Sequence, residues 1–223
     1  MLHRRNLPFI FILIVFIFFG CTSKQKSPEN KAKTLLVQEY QHDGISMFDG
    51  ETLNGWEITS FGTQGPVLIS EGNIVLRYGD GCTGITWLKD FPKVNYKVSL
   101  QARKTSGNDF FCGMTFPVNN EFCSLIVGGW GGPVVGLSCI DGKDANNNET
   151  KIMKNFEKDV WYNIQLLVSD STIIARIDDE KVVDFNYQGR ELYVRPEVEL
   201  SRPFGICSWT TTGELRNIYL EEL

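Results

Sequence analysis

Residues 161–185 read WYNIQLLVSDSTIIARIDDEKVVDF. Tyr162, Ile164, Leu166 and Val168 recur at every second position. Successive strand side chains point to opposite faces, so this period of two predicts a half-buried antiparallel strand. Ser169-Asp170 supplies a turn, and residues 172–177 (TIIARI) return. Asp178-Asp179-Glu180 turns again into residues 181–185 (KVVDF), which completes a three-strand meander. Trp161 opens a regular strand and is expected in the core. Outward from this stretch, residues 96–103 (YKVSLQAR) place Tyr96, Val98, Leu100 and Ala102 on one face. Residues 73–77 and 215–220 read as two more strands, the second a closing one. Helical periodicity is weak outside residues 34–41, and no internal repeat is visible. Many short strands with no helices between them predict an all-β fold, a two-sheet antiparallel sandwich or jelly roll.

The chain has 223 residues and a formal charge of −5, with two histidines and six cysteines. The acidic balance excludes nucleic acid as a partner, because no basic patch exists to displace phosphate counterions. Two histidines argue against a multi-histidine metal site.

The N-terminus reads as a targeting segment. His3, Arg4 and Arg5 form a basic start, and residues 7–19 are an apolar run too short to span a bilayer. The run ends in Phe18-Phe19-Gly20-Cys21, which resembles a bacterial lipobox, with Phe18 where Leu is usual. That resemblance implies a signal peptide over 1–20 and a lipidated, membrane-anchored Cys21. Thr22 after the cysteine implies the outer membrane. Cleavage would remove Arg4 and Arg5 and take the formal charge from −5 to −7. Residues 21–44 are expected to be a polar tether and residues 45–223 a single domain.

Three segments together carry a family resemblance. They are MFDGETLNGW at 47–56, WYNIQLLV to KVVDF at 161–185, and RPFGICSWTTTGELRNIYLEEL at 202–223. In this order and spacing they resemble the bacterial 3-keto-disaccharide hydrolase family. GGWGG and DGKDANNNET in the middle of the chain resemble one subtype of it. The resemblance implies a concanavalin/laminin-G-like jelly roll, secreted or lipid-anchored. It implies cleavage of 3-keto-glycosides by elimination across C1–C2 followed by hydration, with some members only binding sugar.

The residues suggest where such chemistry would sit. Phe48 and Trp56 can clasp a turn built from Asp49-Gly50 and Asn54-Gly55. Residues 127–133 (VGGWGGP) put four glycines around Trp130, read either as a flat apolar face for stacking on a sugar ring or as the buried anchor of a glycine-rich bend. No phosphate-loop signature follows. Residues 140–150 (IDGKDANNNET) concentrate carboxylates and amides, read as a solvated loop, a sugar-hydroxyl or catalytic loop, or an oxygen-ligand calcium site. No cofactor is expected, apart from calcium or another divalent metal at that loop.

Elimination at a 3-keto sugar needs a base, an acid and an electrophile for the enolate oxygen. Asp141, Asp144 and Glu149 are the carboxylate candidates for catalysis, Asp141 and Asp144 ahead of Glu149 because they lie beside the glycine-rich tryptophan loop, with Arg103 as cation. Trp87, Asp109, Trp130, Lys143, Arg202 and Trp209 are candidates for substrate binding. No paired-carboxylate strand of an ordinary glycosidase appears. Among the cysteines, Cys112 and Cys123 flank Pro117-Val118-Asn119-Asn120 and suggest facing hairpin positions, either disulfide-bonded or buried as thiols. No CxxC occurs, and His42 precedes the core, so zinc and Cys–His catalysis lack support. The competing readings are a glycan-binding module without catalysis and a structural envelope protein.

Overall fold

The computed structural model describes residues 44–223. Its strands in chain order are β1 (Ile45–Ser46), β2 (Trp56–Ile58), β3 (Val67–Ser70), β4 (Asn73–Leu76), β5 (Cys82–Trp87), β6 (Tyr96–Gly107), β7 (Cys112–Val118), β8 (Glu121–Gly129), β9 (Val134–Ser138), β10 (Ile152–Met153), β11 (Tyr162–Val168), β12 (Thr172–Ile177), β13 (Glu180–Asn186), β14 (Gly205–Trp209) and β15 (Thr211–Glu222). One sheet runs β13-β12-β11-β6-β15-β4-β3, with β1 added on β15. The other runs β10-β9-β8-β7-β14-β5-β2. All pairings between these strands are antiparallel. The two sheets make the expected jelly-roll sandwich. The signal segment, Cys21, His42 and the helical reading of 34–41 lie outside the described residues.

The alternation read from sequence is the alternation that packs the core. Tyr162, Ile164, Leu166 and Val168 of β11 join Tyr96, Val98, Leu100 and Ala102 of β6 in one buried cluster. Met114 and Phe116 of β7, and Leu125 and Val127 of β8, face them from the other sheet. Trp161 is not in that core. The phase that turns Tyr162 inward turns its neighbour outward, and Trp161 stands against two guanidinium groups, those of Arg103 and Arg216.

The opening motif is a structural clasp. Trp56 donates its indole Nε1–H to the Met47 carbonyl at 2.7 Å and meets Trp87 edge-to-face at 4.9 Å. Gly55 sits at φ +86°, where a Cβ would come within 2.7 Å of the Trp87 ring. The Asp49 carboxylate accepts from Thr52 Oγ1 and from the amides of Thr52 and Glu51. These bonds, Thr52's hydroxyl first, lower the Asp49 pKa to about 2. A depressed carboxylate contributes stability above its unfolded pKa and loses it as pH falls through its folded one. The clasp is therefore expected to hold at pH 4 and weaken toward pH ~2, with Asp49→Asn removing that dependence; a pH titration of the Asp49 carboxyl by NMR checks it.

The cysteine expectation is half met. Residues 112–127 form a hairpin, but Cys112 lies opposite Val127 and Cys123 opposite Phe116. The two thiols are out of register and cannot bridge. Both are free and buried, and burial pushes each pKa up to about 12. They behave as small apolar side chains.

Candidate functional site

The site lies on the outer face of the β8-containing sheet. Thr115, Ser124 and Ser138 stand in register across β7, β8 and β9, a row of small hydroxyl residues facing away from the core. Thr115 and Ser124 share a hydrogen bond of 3.0 Å. Two loops fold over this face. In the first, Ala145 packs on Ile126 and Val134. In the second, Val194 and Val198 pack on Cys82 and Cys207. Between them lies a cleft of about 190 Å³. Ser124, Ile126 and Ser138 form its floor, Phe110, Trp130, Val198 and Trp209 its apolar walls, and Asp109, Arg195 and Glu197 its charged rim.

Each wall has a local cause. Trp130 sits at φ +50° and stays 38% exposed. Asp109 holds its loop, since one carboxylate oxygen accepts from the Gly131 amide at 3.2 Å and the other from the Phe110 amide at 2.8 Å. Gly131 takes φ +84° with nothing near its missing Cβ, so the backbone can turn there without strain. Asp109 is itself fixed by Thr211, whose hydroxyl accepts from the Asp109 amide at 2.9 Å.

Arg195 is the electrostatic centre of the rim. Its Nη2 lies 2.7 Å from Glu197 Oε1, its Nε donates to Glu197 Oε2 at 3.3 Å, and its Nη1 reaches Asp144 Oδ2 at 3.3 Å. The guanidinium holds the Glu197 carboxyl below the usual glutamate range, and Glu197 in turn raises Arg195. Pro196 opens the 3₁₀ turn Pro196–Ser201, which carries Glu197 in its first turn.

The other sequence candidates separate. Asp109, Trp130 and Trp209 line the cleft, and Asp144 stands behind Arg195. Asp141 and Glu149 do not face it. Both converge on Arg190, at 2.6 Å each, and Asp141 also accepts the Glu191 amide at 2.9 Å. That amide first, then Arg190, lowers the Asp141 pKa; the Glu149 backbone amide, then Arg190, lowers that of Glu149. Their work is to tie the 140–150 loop to the turn before Leu192. Lys143 closes a tight turn with Ile140 and is exposed. Asn148 and Thr150 spend their polar atoms on the loop's own backbone and on Leu137.

Three further expectations are corrected, beside those for Asp141, Glu149 and Lys143. Trp87 is 5% exposed and faces the core against Trp56, so it offers no face to a ligand. Arg103 lies on the opposite sheet, paired with Glu214 at 2.7 Å. Arg202 pairs with Glu199 and lies over the Phe122 ring at 5.2 Å, outside the cleft lining. The oxygen-rich loop turns its carboxylates to arginines. Among the described residues no three His, Cys, Asp or Glu side chains converge as metal ligands would. Sequence reading passed over Arg195, Glu197, Phe110 and the two floor serines. The one signal available was Arg195-Pro196-Glu197, opposite charges about a proline that presets a turn.

Comparison with known proteins follows from this geometry. A sequence comparison with curated proteins yields no match. Among solved structures, the chain resembles a carbohydrate-binding module from Bacillus subtilis, with TM-score 0.52, 12% identity, and coverage of 75% of this chain and 96% of that one. It also resembles the Crh5 transglycosylase in complex with NAG, with TM-score 0.54, 12% identity, and coverage of 80% and 82%. A third likeness is to a structure titled for endo-acting O-glycanases of the human gut microbiota, with TM-score 0.51, 14% identity, and coverage of 81% and 96%. At such identities these likenesses concern the fold alone. The sequence profile of the 3-keto-alpha-glucoside-1,2-lyase-like domain matches residues 43–221. The protein is a carbohydrate-active domain, and the chain belongs to the 3-keto-alpha-glucoside-1,2-lyase-like domain family.

Proposed function

We propose that the protein cleaves 3-keto-glycosides in this cleft, by elimination across C1–C2 and hydration. The observation that carries the reading is the Arg195–Glu197 pair beside Trp130 and Trp209, in a chain of this family. A 3-keto group acidifies the C2 proton. Glu197, held ionised by Arg195, takes that proton. The electron pair moves toward O3, where Arg195 stabilises the enolate. The C1–O bond then breaks, its electron pair leaves with the aglycone oxygen, and the proton held by Glu197 is available to that oxygen. Water adds across the resulting double bond, which gives net hydrolysis. Asp144 orients Arg195, and the tryptophans stack on the sugar ring. The proposal includes the lipid anchor at Cys21 on the cell envelope.

The test incubates the purified protein with 3-keto-glucosides and the matching unoxidised glycosides, with and without EDTA, and follows aglycone release by mass spectrometry. Release from keto substrates alone is expected, and the EDTA arm decides metal dependence. A second reading has its own support. The carboxylates of Asp109 and Glu197 are already engaged, by backbone amides and by Arg195. A module that binds glycan without turnover fits that saturation, and release from neither substrate class with binding retained would establish it.

A further inference from the structure

The outer face of the opposite sheet carries a second polar constellation. Arg216 lies on β15 immediately before Asn217, which sits at φ +53° in an irregularity of the β15–β6 pairing. Such irregularities re-aim side chains. The Arg216 guanidinium lies 4.0 Å from the centre of the Trp161 ring, and that of Arg103 lies 4.6 Å from it. Arg216 is locked in place. Its Nε donates to Gln101 Oε1 at 2.7 Å, Gln101 Nε2 donates to Asn163 Oδ1 at 2.8 Å, and Asn163 Nδ2 donates to Asp178 Oδ1 at 3.3 Å.

Beside the Trp161 ring stand two arginines, and the nearest carboxylate, Glu214, is paired with only one of them. Glu214 spends one oxygen on Arg103, accepting from Nε at 3.0 Å and Nη2 at 2.7 Å. Among the described residues, Arg216 has no ion pair, and its terminal nitrogens have no partner. Burial, and then the Arg103 charge, pull its pKa below the usual arginine value, and the nearby Glu214 carboxylate offsets this only in part. A half-buried, immobilised cation repelled by a second cation is costly unless an anion completes it. This stands out on a protein whose formal charge is −5.

We propose that Arg216, braced by Trp161 and Gln101, is a subsite for the carboxylate of an acidic sugar, separate from the cleft. Two terminal N–H groups in one plane match a carboxylate's two oxygens. A saccharide suits a domain of this family.

Calorimetric titration of the purified protein with tetragalacturonic acid and with the matching neutral tetragalactose tests this. Binding of the acid alone is expected, weakened by salt. Arg216→Gln should weaken it at least about tenfold, and Arg216→Lys should fall between, because charge is kept and the fork lost. Trp130→Ala should leave it unchanged, which separates this subsite from the cleft. Equal affinity for both tetrasaccharides, no binding of the acid, or full binding by an Arg216→Gln protein of unchanged melting temperature would overturn it. So would loss of acid binding in Trp130→Ala, or capture by phosphatidylglycerol vesicles that survives excess tetragalacturonate.

Discussion

Glu197→Gln is expected to lower kcat/KM on 3-keto-glycosides by about 10²–10⁴, the usual contribution of a positioned general base. The exchange is nearly isosteric, and Glu197 lies at the protein surface on a short 3₁₀ turn. The fold should therefore survive, and circular dichroism with a melting curve checks that it does. Arg195→Lys should lose comparable activity, because a point charge cannot reproduce the fork that reaches both Glu197 and Asp144. Asp141→Asn is the control. That carboxylate is committed to Arg190 and the Glu191 amide, outside the cleft, so turnover should be unchanged. A pH profile adds a check. The base must be ionised to act, and Arg195 holds Glu197 below the usual glutamate range. The acid limb of kcat/KM should thus fall below pH ~4.5. An unchanged rate in Glu197→Gln would move the base elsewhere.

Trp87→Ala is expected to cost about 3–5 kcal/mol, the range for removing a large buried aromatic side chain. Trp87 is 5% exposed and packs edge-to-face on Trp56, which itself lies 5.9 Å from Phe204. Its loss would open a cavity under the clasp and leave Gly55 without the ring it turns against. Trp130→Ala should behave in the opposite way. Trp130 is 38% exposed at the cleft wall, so stability should change by no more than about 0.5 kcal/mol while sugar affinity falls. Denaturant unfolding of both variants, beside sugar titrations, separates the two roles. Comparable stability losses in both would contradict this assignment.

The sequence by itself determined the architecture. Alternation is a local property, and one strand's pattern states which of its residues face inward. Residues 161–185 delivered β11, β12 and β13 close to their observed bounds, and 96–103 delivered most of β6. The glycine-rich loop and the clasp at 47–56 were readable for the same reason, since turn chemistry acts within a few residues, whereas the exposure of Trp130 was not. Two local misreadings were Trp161, where the strand's own phase points outward, and the hairpin register of Cys112 and Cys123.

Only the tertiary structure decided which outward-facing residues meet. Trp209 reaches the cleft because β14 inserts between β5 and β7, a neighbour relation that no local pattern encodes. The acidic loop offered Asp141, Asp144 and Glu149, with Asp141 and Asp144 preferred only for their place beside the glycine-rich loop. Arg190 claimed two of them and Arg195 the third, both arginines arriving from a distant segment. Composition cannot rank carboxylates whose roles are set by the cation each one finds. Trp87, Trp130 and Trp209 are likewise equal as letters. Strand order and side-chain direction sent one into the core and two to the cleft, because burial depends on which layer covers each face.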